Sequence, residues 1–217
     1  MLVVLHPDKL TGQPFFNDLV TYLMTHDDVS LRDIKRVFSH VSSLERQIEN
    51  YVQEGYIRRQ DKRYMLGFSW SDNLADIRLD QQAFVDSDRL SLDDLRSLRF
   101  STRLTNQTNQ VVIVEKTDVF REALTLSNYF TRLKEQREPS LQQRNLYQLL
   151  GDVNSEYALK YMTTFLLKFI RKDQVLQKRP DIFVEALVEL GYIRRVSENT
   201  YELAMIVDKE QLIFTGF

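Results

Sequence analysis

The sequence predicts a mainly α chain with small β hairpins, an α+β fold in which two three-helix modules, each closed by a two-stranded flap, flank a folded α/β insert. Three observations lead there. The pentapeptide Gly-Tyr-Ile-Arg-Arg occurs twice, at Gly55 to Arg59 and at Gly191 to Arg195, each time after an amphipathic helical stretch and before a second strand-like run. Superposing the two glycines also brings Glu49 onto Glu185 and Val52 onto Val188, and one extra turn residue in the second copy brings Tyr64 onto Tyr201 and Leu66 onto Leu203; repetition of flanks as well as core points to a duplicated supersecondary unit. Finally, the 217 residues hold only six Gly and four Pro against thirteen Phe and ten Tyr, a composition that suits helices and bulky cores.

Along the chain, Leu2 to His6 reads as a short strand closed by Pro7, and Phe15, Phe16, Leu19, Val20, Leu23 and Met24 keep helical spacing. Ser30 followed by Asp33 makes a capping box for a second helix. A third, starting near Val41 or Ser42, carries the stripe Val41, Leu44, Ile48, Tyr51 and Val52 and stops at Gly55 as a C′ glycine stops helices. Tyr56 to Arg59 and Tyr64 to Phe68 then form a hairpin. These elements define a first module over residues 1–68.

Residues 69–139 are neither Pro/Gly-rich nor of low complexity, and read as a folded connector. Ser91 and Asp94 start a short helix, Phe100 to Thr105 and Gln110 to Glu115 flank an Asn-Gln-Thr-Asn turn, and Val119, Ala123, Leu126, Phe130 and Leu133 mark a long helix ending before Pro139. The second module, residues 140–217, begins with a helix over Leu141 to Leu150 and continues with one from Ser155 to about Lys172. A third follows Pro180 and ends at Gly191, and the flap runs from Tyr192 through Leu203. Its surplus of eleven residues over the first module falls around Lys168 to Lys178, and the apolar tail Leu212 to Phe217 predicts a sheet edge or a contact with a partner chain.

Composition excludes several functions. Without Cys there is no disulfide, thiolate metal site or cysteine nucleophile. No span approaches the roughly 20 apolar residues of a membrane helix, and the apolar start is too short for a signal peptide, so the expected location is cytoplasmic. The three histidines, His6, His26 and His40, are scattered, and His26-Asp27-Asp28 falls in a helix–helix turn where aspartates cap. No phosphate loop, dinucleotide glycine pattern or nucleophile elbow is present. The expectation is a non-enzymatic protein with no catalytic residues, no metal and no cofactor.

The segments Ser42 to Arg59 with Tyr64 to Leu66, and Asp181 to Arg195 with Tyr201 to Leu203, resemble the winged helix-turn-helix domains of many bacterial regulators, in which the helix before the glycine is the recognition helix and the hairpin the wing. The arrangement also resembles an uncharacterised bacterial family whose domain has no assigned function. The resemblance implies two winged-helix-like modules, the first reading double-stranded DNA. Ser42, Ser43, Arg46, Gln47 and Asn50 would face the major groove, and Arg58, Arg59, Lys62 and Arg63 would supply wing charges for phosphates or the minor groove.

Charge supports that assignment locally. Eight basic against five acidic residues between Ser30 and Met65 make that window +3 in a chain of net −2. In the second module Asp181, Glu185 and Glu189 predict a negative ridge with no arginine to offset it, and Lys160, Lys168, Arg171 and Lys172 read as the wet face of a long helix. The second module and the C-terminal segment are therefore expected to hold a protein partner or a second copy of the chain. Two functions stay open: a DNA-binding transcription regulator acting through module one, and a protein–protein interaction scaffold whose winged helices do not touch DNA.

Overall fold

A computed structural model describes residues 1–216, so the predicted tail strand reaches one residue, Phe217, beyond the described chain. Helix accounts for 38% and strand for 22%. The chain is α+β, and the expectation of a mainly α fold is corrected. Few Gly and Pro did not mean few strands, because the strands are short and several turns are made by residues such as Asp61, Lys62 and Asp80 at positive φ. The chain divides into two compact units, Met1–Leu98 and Arg99–Phe217. The division falls inside the stretch 69–139: its first strand and short helix pack in unit 1, and its hairpin and following helix in unit 2.

In unit 1 a ribbon of β1 (Leu2–Leu5) and β5 (Ala83–Asp86) runs antiparallel from Leu2 opposite Asp86 to Leu5 opposite Ala83. Between them lie α1 (Pro14–Thr25), β2 (Val29–Ser30), α2 (Leu31–Val37), α3 (Leu44–Gln53), β3 (Ile57–Gln60) and β4 (Arg63–Leu66). The three short strands form one antiparallel sheet in the order β2-β4-β3. Pro at N1 starts α1, and the capping box starts α2, with Ser30 Oγ accepting from Asp33 N and Asp33 Oδ2 accepting from Ser30 N at 3.2 Å. Phe16, Leu19, Val20, Ile34, Ile48 and Tyr51 are essentially inaccessible and make the core. α4 (Leu92–Ser97), capped by Ser91, closes the unit.

Gly55 ends α3 at φ 78° and Gly191 plays the same part at φ 71°, a backbone region that costs an L-residue about 1–2 kcal/mol. β3 and β4 are joined by a two-residue turn, Asp61-Lys62, with φ of 49° and 63°, the signature of the primed turn whose twist suits a hairpin.

Unit 2 opens with a hairpin of β6 (Phe100–Leu104) and β7 (Val112–Thr117), followed by α5 (Leu126–Lys134), α6 (Arg144–Leu150), α7 (Ser155–Leu166), β8 (Gln174–Leu176), α8 (Ile182–Glu189), β9 (Ile193–Ser197), β10 (Thr200–Leu203), β11 (Ile206–Asp208) and β12 (Ile213–Thr215). A second three-stranded antiparallel sheet has the order β8-β10-β9, and a mixed four-stranded one the order β11-β12-β7-β6. The expected tail strand is therefore no edge: β12 pairs in parallel with β7 and antiparallel with β11.

Two further expectations are corrected. The long helix from Val119 begins only at Leu126, because Asp118 turns the backbone by accepting from Glu122 N and Ala123 N while Arg121 sits at φ 58°. The helix expected to reach Lys172 ends at Leu166, continues as a 3-10 turn over Leu167–Ile170, and gives way to β8. A third strand, not expected from sequence, joins each flap: β2 lies between α1 and α2, whereas β8 lies directly before α8. Only Gln177 to Asp181 separate β8 from α8, so nothing there corresponds to α2.

Candidate nucleic-acid interface

α3 owes its orientation to three buried side chains, Leu44, Ile48 and Tyr51. At about 100° per residue, the opposite face carries Arg46, Glu49, Asn50 and Gln53. Arg46 and Gln53 are exposed, and Glu49 and Asn50 half-buried. Gln53, one turn beyond Asn50, was not picked out from sequence, although the same periodicity marks it. Ser42 and Ser43 are exposed ahead of the helix, but Ser43 takes φ 52° and caps nothing with its hydroxyl. Gln47 turns away from the outer face, its Nε2 donating to the Ser42 carbonyl at 2.8 Å. That amide braces the turn into α3 and is not free to meet a base edge.

The pleat divides the flap. β3 pairs with β4 so that Ile57 faces Leu66 and Arg59 faces Tyr64, while Arg58 faces Met65 and Gln60 faces Arg63. Because alternate residues point to opposite sides, Arg59 lies on the core side with buried Ile57 and Tyr64, and Arg58 and Arg63 lie on the outer side. Arg59 reaches Glu49 on α3 at 3.0 Å, and hydrogen bonding to Tyr64, followed by the Glu49 charge, holds its guanidinium above the ordinary range. Arg63 pairs with Asp28 at 2.6 Å and Lys35 with Glu45 at 2.5 Å. Arg46, Arg58 and Lys62 are exposed and have no ion-pair partner among the described residues; Arg32, at the start of α2, joins them. The nine predicted residues thus separate into free outer cations (Arg46, Arg58, Lys62), neutralised cations (Arg59, Arg63), the Gln47 brace with Ser42, and two polar residues outside those roles, Ser43 and Asn50.

The same clip occurs in unit 2. Arg195 meets Glu185 at 2.5 Å and Tyr201 Oη at 3.2 Å, with its guanidinium 5.5 Å from the Tyr201 ring. Hydrogen bonding to Tyr201, then the Glu185 charge, raises the Arg195 pKa. Glu, Arg and Tyr recur because they fasten the flap to the preceding helix, so the second arginine of the repeated pentapeptide is structural in both places. This corrects the predicted acidic ridge: Asp181 is spent capping Phe183 N at 2.8 Å, and Glu185 does have its arginine. The repeated tyrosines differ. Tyr56 Oη donates to Asp8 Oδ2 at 2.5 Å, whereas Tyr192 Oη is buried with no partner among the described residues.

Sequence reading missed a buried polar cluster in unit 2. Glu115, 1% exposed, accepts from Leu126 N at 2.7 Å and Ser127 N at 2.8 Å, closing the start of α5. Arg121 Nη1 donates to Ser127 Oγ at 2.9 Å, Asn128 Nδ2 to Asp118 Oδ2 at 3.1 Å, and Gln143 Nε2 to the Arg121 and Ala123 carbonyls at 3.1 Å each. Burial pushes the Glu115 carboxyl up to about 7, against the downward pull of the two amides and of the Arg121 charge. Glu115 shares a buried face with Val111, Ile113 and Thr117, but Val112 and Val114 are equally apolar, so no alternation in the sequence marked that face. A groove of about 1060 Å³ in the same unit is bordered by Ser127, Phe130, Arg144 and Tyr147, but Glu115 is not among its walls. The cluster's bonds are internal, organising residues 118–128. Among the described residues no group of three or more metal-ligating side chains is placed to hold an ion, and no helix is long and apolar enough to cross a membrane.

Residues 3–98 match a family model described as a domain of unknown function (DUF1803). The match ends at the residue where unit 1 ends, and its description assigns no activity. No curated protein and no solved structure matches the chain.

Proposed function

We propose that unit 1 is a winged helix that binds double-stranded DNA without catalysing a reaction, in a bacterial cytoplasmic regulator, with α3 in the major groove and the β3–β4 flap over a neighbouring phosphate run. The observation that carries this reading is the path α1, β2, α2, α3, β3, β4 with sheet order β2-β4-β3, together with three unpaired cations, Arg46, Arg58 and Lys62, on the outer side of α3 and its flap. Arg46 and Asn50 are the base-reading candidates, since bidentate donors and amides distinguish bases in the major groove. Arg58 and Lys62 fit phosphates, which position a protein without reading sequence.

A second reading keeps its specific support: Arg59 and Arg63 are already neutralised by Glu49 and Asp28, as suits a bracket between proteins. Fluorescence anisotropy with a mixed-sequence duplex separates the two. For the DNA reading, affinity falls with salt at a log–log slope of about −0.9 per phosphate. Replacing Arg46, Arg58 and Lys62 together by Ala weakens binding and flattens the slope by about 2, for the two phosphate contacts of Arg58 and Lys62, and Arg59→Ala leaves it alone. Absence of binding at about 50 mM salt, or a triple variant that binds like the parent, decides for the scaffold.

A further inference from the structure

Six cations lie between Ser155 and Pro180, Lys160, Lys168, Arg171, Lys172, Lys178 and Arg179, against two acids, Glu156 and Asp173, a local balance of +4. All six are exposed, and none forms an ion pair among the described residues. In unit 1, by contrast, half of the eight basic residues between Ser30 and Met65 are tied to carboxylates. An unpaired cation can replace a counterion condensed on a nucleic-acid backbone without first giving up a carboxylate, so the unpaired set carries the larger electrostatic capacity for nucleic acid.

Lys160 stands between two aromatic residues of α7 in the sequence, and Lys178 and Arg179 lead into α8, which carries a third, Phe183. Tyr157 and Tyr161, one turn apart on α7, are 52% and 40% exposed. Their centroids are 4.7 Å apart. Tyr161 also lies nearly parallel to Phe183 of α8, 8° between planes and 5.2 Å between centroids, so a ring that stays accessible is held in a fixed orientation by a buried one. Lys160 Nζ stands 5.6 Å from the Tyr161 centroid. Arg179 is three residues before exposed Ile182, and its carbonyl is fixed by Gln177 Nε2 at 3.1 Å. Oriented, accessible aromatic faces beside unpaired cations are the two components of a surface that stacks bases and neutralises phosphates without reading sequence.

We propose that the α7–α8 surface of unit 2 binds single-stranded nucleic acid, with bases stacking on Tyr157 and Tyr161 and phosphates meeting Lys160, Lys178 and Arg179. This surface is independent of the duplex reading of unit 1. The positive balance matches a polyanion, and the preordered rings favour a ligand with unpaired bases over an acidic protein, which needs no stacking platform.

The test is anisotropy of the full chain with a labelled oligothymidylate of about 15 nucleotides, within the span one such site covers. Tyr157→Ala with Tyr161→Ala is expected to lower affinity by about tenfold or more, because each stacked base is worth about 1–3 kcal/mol and 1.4 kcal/mol is tenfold. Tyr157→Phe with Tyr161→Phe, which keeps both rings, retains it. Removing the three cations flattens the salt slope by about 2, at about 0.7 per phosphate on a single strand. The triple variant Arg46→Ala, Arg58→Ala, Lys62→Ala leaves oligothymidylate binding unchanged, so failure of the duplex reading does not touch this one. No binding at about 50 mM salt, binding indifferent to the Ala pair, or competition by polyglutamate but not by oligothymidylate each overturns the proposal.

Discussion

Replacing Glu115 by Gln removes a buried titration that should dominate the stability of unit 2 between pH 4.5 and 8. In the folded chain burial raises the carboxyl from 4.5 to about 7. The folded state therefore holds its proton where the unfolded chain has released it, so stability is fully present below about 4.5 and declines as pH rises through about 7. Two and a half units at about 1.4 kcal/mol each give about 3 kcal/mol lost across the window. With a urea dependence of roughly 1–3 kcal/mol per molar, the midpoint should fall by on the order of 1–3 M from pH 4.5 to 8. Asp8, Asp33, Asp86 and Glu202 are held below the ordinary carboxylate range and lose their contributions only at lower pH, outside this window.

The assay is urea unfolding of parent and Glu115→Gln at several pH values, combined with exchange of the Leu126 and Ser127 amides that Glu115 accepts. The variant is expected to start less stable, since one of the two amides loses its acceptor at a cost of about 1–3 kcal/mol, and then to change little with pH. The difference between the two proteins therefore shifts in the variant's favour by about 3 kcal/mol as pH rises. A difference that stays constant, or shifts the other way, refutes the account of Glu115 as a carboxyl kept near neutrality by burial.

Two contrasts test the flap geometry. A Cβ on Gly55 or Gly191 meets nothing within 4 Å, so Ala there costs only the left-handed backbone, about 1 kcal/mol; a Cβ on Gly67 meets the Gly55 carbonyl oxygen at 2.1 Å, and Gly67→Ala should lower the thermal midpoint of unit 1 more than Gly55→Ala. Tyr56→Phe forfeits the bond to Asp8 and should cost about 1 kcal/mol, whereas Tyr192→Phe removes a buried hydroxyl with no partner among the described residues and should be neutral or stabilising by chemical unfolding; the reverse order would contradict the hydrogen bonding described.

What the sequence revealed was what local chemistry determines. Ser30 and Asp33 cap α2 within four residues, Gly55 and Gly191 must stop their helices, and Tyr56 to Phe68 folds back on itself, although the turn proved to be Asp61-Lys62 alone and not the longer Gln60 to Arg63. What escaped depends on distant partners. β5 becomes a strand by pairing with β1, and β8 by pairing with β10, and three residues such as Gln174–Leu176 carry no periodicity of their own. The duplex interface was legible as a set of residue types but not as a set of free charges, because nothing in the spacing says that Arg59 turns inward to Glu49 while Arg58 turns out. The acidic ridge of the second repeat failed for the same reason. Glu115 and Asn128 escaped because polar side chains are usually taken as surface, and only the partners gathered by residues 118–128 make their burial affordable.

The central position of β12 constrains how the chain acquires its shape during synthesis. Ile213 is the register partner of Val112, 101 positions earlier, so the mixed sheet of unit 2 cannot close until residues 213–215 have left the ribosome. Unit 1 has all its strands once Asp86 has emerged. Nascent chains stalled before Ile206 should therefore already protect residues 1–98 from protease while β7 remains cleavable. During that interval β7 waits with one hydrogen-bonding side vacant, an edge open to pairing with another chain.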